Sequence, residues 1–128
     1  MTPDLTYLLW SALLCLVLAV IPVVGALPIV GLPKLAGNRD DMPVMESWTG
    51  RAVRAHRNML ENLILFAILV LIAHVTKRAD ATTALGAAIF FWARVAHAVL
   101  YIAGLPWVRT AAWGVSVVGL LMIASRLL

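Results

Sequence analysis

Charge is scarce in this sequence and wholly absent from one long stretch. Only 12% of the 128 residues are Asp, Glu, Lys or Arg, against 63% hydrophobic, and none of them falls between Leu5 and Leu27. A mean hydropathy of +0.99 excludes a soluble domain of this length, which could not hide so much apolar surface from water. The chain therefore reads as an integral membrane protein. Lys and Arg are also missing ahead of Lys34, which excludes the basic leader of a secretory signal peptide, so the first apolar segment is expected to stay in the mature protein. A single cysteine, Cys15, excludes an intramolecular disulfide; within an apolar segment its thiol is expected to fill space or face lipid. The net charge of +4 comes from basic residues set mainly at segment ends, a topology signal rather than a nucleic-acid footprint. Nucleic acid is set aside.

What is abundant is apolar helix. Crossing a ~30 Å hydrocarbon layer takes about 20 helical residues, which leaves room for about four crossings. The expected fold is an all-α integral membrane protein, a four-transmembrane-helix bundle forming one domain over residues 1–128, with helices at about 5–27, 47–75, 81–105 and 107–127. Pro22 and Pro28 are expected to kink or end the first helix. The stretch "GLPKLAGNRDDMPVMESWTG" that follows is rich in turn residues and acids and reads as an aqueous or interfacial loop. Asp40 and Asp41 have no His or further carboxylate at ligand spacing, so no metal is assigned.

Lys34, Arg39, Arg51, Arg54, Arg57 and Arg109 gather on the side of the first and third connections, against Lys77, Arg78 and Arg126 opposite. This bias puts both termini outside. Trp48 and Trp107 are expected near the inner interface, with Tyr7 as a further interfacial anchor. Gly86, Gly114, Ser116 and Gly119 offer small surfaces for close helix packing.

Against this background a few polar residues stand out. Arg94 falls near the middle of the third helix, where a lone arginine costs at least about 2.5 to 3.5 kcal/mol on insertion scales. It must face protein or water and find a partner. Glu61 is the one acid in any expected span, so it is expected to pair with Arg94, Arg54 or Arg57. Arg54, Asn58 and Glu61 share one helix face at i, i+4 and i+7, and Arg94, His97 and Tyr101 repeat that geometry at i, i+3 and i+7. Two polar stripes on buried helices imply a cavity. Their guanidiniums, amide, carboxylate, imidazole and phenol suit a small anionic ligand with carboxylates to clamp and an amine to receive. A purely structural clamp between helices is the simpler alternative. His56 and His74 lie off these stripes, which excludes a zinc or haem site.

The runs "RAHRNMLEN" from Arg54 to Asn62 and "RVAHAVLY" from Arg94 to Tyr101, followed by Pro106 and Arg109, resemble the MAPEG family, membrane-associated proteins in eicosanoid and glutathione metabolism. The likeness extends over essentially the whole chain, and Arg-x-x-x-Asn-x-x-Glu on the second helix is its most specific element. Asn62 stands where eukaryotic members commonly have a tyrosine, and His97 where they have the first tyrosine of the third helix.

The resemblance implies a homotrimer binding glutathione between subunits near the cytoplasmic side. Arg54, Asn58, Glu61, Arg94, His97 and Tyr101 would then be the binding residues, and Arg109 the arginine that stabilises the thiolate. It further implies a glutathione-dependent transferase or peroxidase acting on lipophilic electrophiles or lipid hydroperoxides. The hydrophobic substrate would enter from the lipid of a multi-pass protein in a bacterial inner membrane. Two other classes stay open: a non-catalytic membrane ligand-binding or scaffold protein of the same fold, and a small multidrug-type transporter. An uncharged first helix speaks against the transporter.

Overall fold

A computed structural model of the chain describes residues 1–128 and contains five helices. They are α1 (Pro3–Val30), α2 (Leu32–Ala36), α3 (Ser47–Val75), α4 (Ala81–Ala103) and α5 (Pro106–Leu127). All but α2 are long and apolar enough to cross a membrane. The chain is thus a multi-pass integral membrane protein.

Helix α1 runs through both Pro22 and Pro28, three residues beyond the expected stop near Leu27. Proline removes one intrahelical hydrogen bond, and inside a membrane-spanning helix the remaining ladder outweighs that loss. The chain turns only at Gly31, whose φ of 80° suits a residue without a Cβ. The loop expected after it contains the short helix α2. Helix α4 ends at Ala103, two residues before the expected limit, because Gly104 takes the left-handed conformation (φ 84°) and returns its N–H to Leu100 and Tyr101.

Aromatic and aliphatic side chains from four helices form the core. Phe66 of α3 stacks on Phe90 of α4 at 4.1 Å between ring centroids, with Met59, Val70, Leu120 and Ile123 packed around them. Cys15 is buried in the same cluster, a packing role for the thiol. Tyr7 packs against Trp10 and Phe91, with centroids at 5.3 and 5.8 Å, so its ring joins an aromatic cluster. Trp107 is 86% exposed.

Each end of the bundle is tied by polar bonds. Asp80 caps α4, accepting at Oδ1 from the Thr82 and Thr83 N–H groups, while its own N–H donates to Thr83 Oγ1. Arg126 donates to Asp80 Oδ2 at 2.7 Å, and Arg78 to the Leu127 carbonyl at 2.6 Å. The Thr83 N–H first, with Arg126 adding to it, holds the Asp80 carboxyl below the usual aspartate range, so the cap is complete at neutral pH. At the opposite end Arg51 Nε donates to the Ile102 carbonyl at 2.9 Å, fastening the start of α3 to the last turn of α4. That last turn carries Tyr101.

Candidate functional site

Beside this fastening the first turns of α5 fold back over the end of α4. Pro106 sits at the start of α5, where a missing N–H costs nothing, and Arg109 follows in the same turn. Its guanidinium carbon lies 4.0 Å above the Tyr101 ring, a cation–π contact. Tyr101 in turn meets His97 edge to face at 5.5 Å.

Asn58 closes the floor from α3. Its Oδ1 accepts from Arg94 Nη2 at 2.6 Å and from Asn62 Nδ2 at 3.4 Å, and Asn62 Nδ2 also donates to the Asn58 carbonyl at 2.8 Å. With its oxygen engaged by a cation, the Asn58 amide is fixed in one orientation, which leaves its NH₂ group to serve the recess. The recess, about 250 Å³, is lined by Asn58, His97, Tyr101, Arg109, Thr110 and Trp113. No carboxylate lines it.

The structure therefore gathers Asn58, His97, Tyr101 and Arg109 in one place and sets Arg94 directly behind Asn58. Arg94 is 1% exposed, and its Nε and Nη1 have no hydrogen-bond partner in the chain. The expected pairing of Glu61 is corrected: the one ion pair in the chain joins Arg126 to Asp80, and Arg94 is held by an amide. Helical pitch explains this. Asn58 and Glu61 are three residues apart, about 4.5 Å along the axis, and the α4 residue at Asn58's level is already Arg94. Glu61 and Arg54 remain exposed on α3, a turn to either side of Asn58, outside the recess.

Thr110 and Trp113 were missed in the sequence. Trp113 lies four residues after Arg109 and so on the same face of α5, a spacing that would have found it. Thr110 Oγ1 donates to the Pro106 carbonyl at 3.0 Å, a local bond that leaves no sequence signature. Trp113 also borders a second, apolar cavity of about 350 Å³ between α3 and α5, lined by Leu65, Leu69, Val117 and Leu121 among others and touched by Asn62. A donor-lined recess and an apolar slot thus share one wall. The arrangement can hold an anion beside a hydrophobic molecule.

No match was found among curated proteins or among solved structures. A family model does match, and it covers residues 5–128, taking in every residue of the recess and all of the four spanning helices except Pro3 and Asp4 at the start of α1. On that match, over nearly its whole length, the chain belongs to the MAPEG family.

Proposed function

We propose that this protein is a membrane-embedded glutathione-dependent enzyme, a transferase or peroxidase acting on lipophilic electrophiles or lipid hydroperoxides. Family membership supports a membrane protein of glutathione-related function in general terms. The observation that carries the finer reading is the recess itself. Asn58, Tyr101 and Arg109 offer N–H and O–H donors, and no acid opposes them, which fits the carboxylates and the ionised sulfur of glutathione.

Glutathione supplies the nucleophilic sulfur, and the residues of this chain set its charge and place. Arg109 stabilises the thiolate, since a free thiol with a pKa of about 8.5 is largely protonated at neutral pH. The start of α5 adds the positive end of a helix dipole. Asn58, held by Arg94, donates to a carboxylate or carbonyl, and His97 and Tyr101 define the wall. The apolar slot beside Trp113 would receive the co-substrate from the lipid.

The same reading implies a homotrimer. The recess is smaller than the roughly 300–1,000 Å³ of most ligand pockets, and Glu61 lies exposed on a membrane-spanning helix with no cation in its own chain to meet it. A neighbouring subunit packed on that face would cover Glu61 and Arg54 and bring both to the glutathione site.

Purified protein supplied with glutathione and a panel of lipophilic electrophiles and lipid hydroperoxides should consume the thiol saturably with at least one of them. Binding of glutathione with no turnover across the panel would point instead to the non-catalytic role.

A further inference from the structure

At the other end of the bundle from Arg109, a hollow of about 290 Å³ opens between the first turns of α1 and α4. Asp4 and Asp80 both line it, with Thr2, Pro3, Ala79 and Ala84, and no cation does. Asp80 and Tyr101 stand near the two ends of α4, roughly 30 Å of helix apart, so this hollow is separate from the thiol recess.

Asp4 is the group that the fold leaves unexplained. It is 3% exposed, and its Oδ2 is shut away from solvent with no hydrogen-bond partner. The one ion pair in the chain joins Arg126 to Asp80, so no cation of this chain meets Asp4. The helix dipole favours an acid in a first turn, but it serves an exposed carboxylate as well as an enclosed one. A buried carboxylate without a donor costs free energy, and a second carboxylate on the same hollow adds repulsion. A cation between them removes both costs.

Counting acceptors identifies the kind of cation. A carboxylate offers about four lone-pair positions. Asp80 has used three of them, on the Thr82 and Thr83 N–H groups and on Arg126 Nε. Asp4 Oδ2 has used none, and the Ala79 carbonyl accepts no backbone hydrogen bond. A divalent metal ion takes about six or more oxygens, and no third acid stands with these two. A primary ammonium carries three N–H donors, one each for Asp4, Asp80 and Ala79. The rest of the wall, Pro3 and Ala84 among it, is apolar and suits the carbon beside the nitrogen. Thr2 caps α1 by accepting from the Leu5 N–H at 3.4 Å, as Asp80 caps α4, so both rims are held in place.

The uncharged run of α1 starts at Leu5, directly after Asp4, which sets the hollow at the level of lipid headgroups. We propose that it binds a primary ammonium group, that of an aminophospholipid headgroup or of a free amine, with Asp4 as the counter-ion. The test does not depend on catalysis.

Short-chain phosphatidylethanolamine is titrated into the detergent-purified protein, with phosphatidylcholine, free ethanolamine and calcium chloride as parallel arms at constant ionic strength. The readout is the shift in thermal unfolding midpoint. Phosphatidylethanolamine is expected to raise the midpoint saturably. Phosphatidylcholine, which has the same phosphate but no N–H on its nitrogen, is expected to do so much less. Ethanolamine acting only at far higher concentration assigns the site to the lipid, and ethanolamine acting at similar concentration assigns it to free amines; either supports an ammonium site. Asp4→Asn keeps the shape and removes the charge, and is expected to weaken phosphatidylethanolamine binding at least about tenfold while still binding glutathione. Ala84→Leu, which fills the hollow and leaves Asp4 in place, is expected to abolish the shift and stands in should Asp4→Asn fail to fold.

Equal shifts from the two lipids, or variants that keep the preference, would overturn the proposal. So would a calcium shift as large as that of the amines, which would make this a site for any cation. No shift with either amine would overturn it equally.

Discussion

Replacing Arg109 by alanine should lower the turnover of the glutathione reaction by about 10²-fold or more while changing glutathione affinity far less. The magnitude is that of removing one preorganised donor from a site where charge must be stabilised. The asymmetry follows from the position of Arg109. Asn58, with Arg94 behind it, supplies the floor of the recess independently of α5, whereas Arg109 is the one cation of the lining and acts on the ionised sulfur. Its stacking on Tyr101 makes the planar guanidinium specific, so Arg109→Lys should restore only part of the rate. Steady-state turnover measured beside glutathione binding separates the two effects. Wild-type turnover in Arg109→Ala would remove Arg109 from the chemistry.

A second large effect is expected far from any ligand. Gly86 of α4 and Gly119 of α5 face each other so closely that a Cβ on Gly119 would sit 2.6 Å from the Gly86 carbonyl oxygen and 2.9 Å from the Phe90 nitrogen; one on Gly86 would sit 2.7 Å from the Gly119 oxygen. The obstacle is backbone on both sides, which cannot rotate away as a side chain could.

Gly119→Leu must therefore push α4 and α5 apart. Overpacking typically costs about 1–3 kcal/mol, and here it also moves Tyr101 away from Arg109, since one helix carries each. The expected result is a lowered unfolding midpoint with loss of activity in whatever protein folds. Gly114→Leu is the control, because nothing lies within 4 Å of a Cβ at that position. Equal stability of the two variants would contradict the packing described here.

These two cases show where the sequence was legible. The four spanning helices followed from the length and composition of the apolar runs, which leave the backbone few other ways to satisfy its hydrogen bonds in lipid. Arg94 declared itself because an arginine at mid-helix is costly wherever it is not partnered. The stripes of Asn58 and of His97 and Tyr101 followed from helical spacing, and the structure brings those three into contact with one recess.

What spacing could not supply was the relative height of two helices. The choice between Glu61 and Asn58 as partner of Arg94 turns on a shift of about one turn between α3 and α4, set by the Phe66–Phe90 stack and the Arg51–Ile102 bond, both long-range. The same holds for the glycines. Gly86, Gly114 and Gly119 look alike in the sequence, yet only Gly86 and Gly119 face another helix within the chain. Trp113, by contrast, was within reach of the spacing argument.

The central claim is that glutathione binds where Asn58, His97, Tyr101 and Arg109 converge, and calorimetric titration of glutathione into the purified wild type and Asn58→Asp tests it most directly. Aspartate at this position keeps an oxygen for Arg94, now as an ion pair, so the buried guanidinium stays partnered. It removes the N–H donor from the recess and sets a negative charge there. The account predicts saturable binding by the wild type and at least about tenfold weaker binding by Asn58→Asp. No binding by the wild type, or equal binding by both, would contradict it.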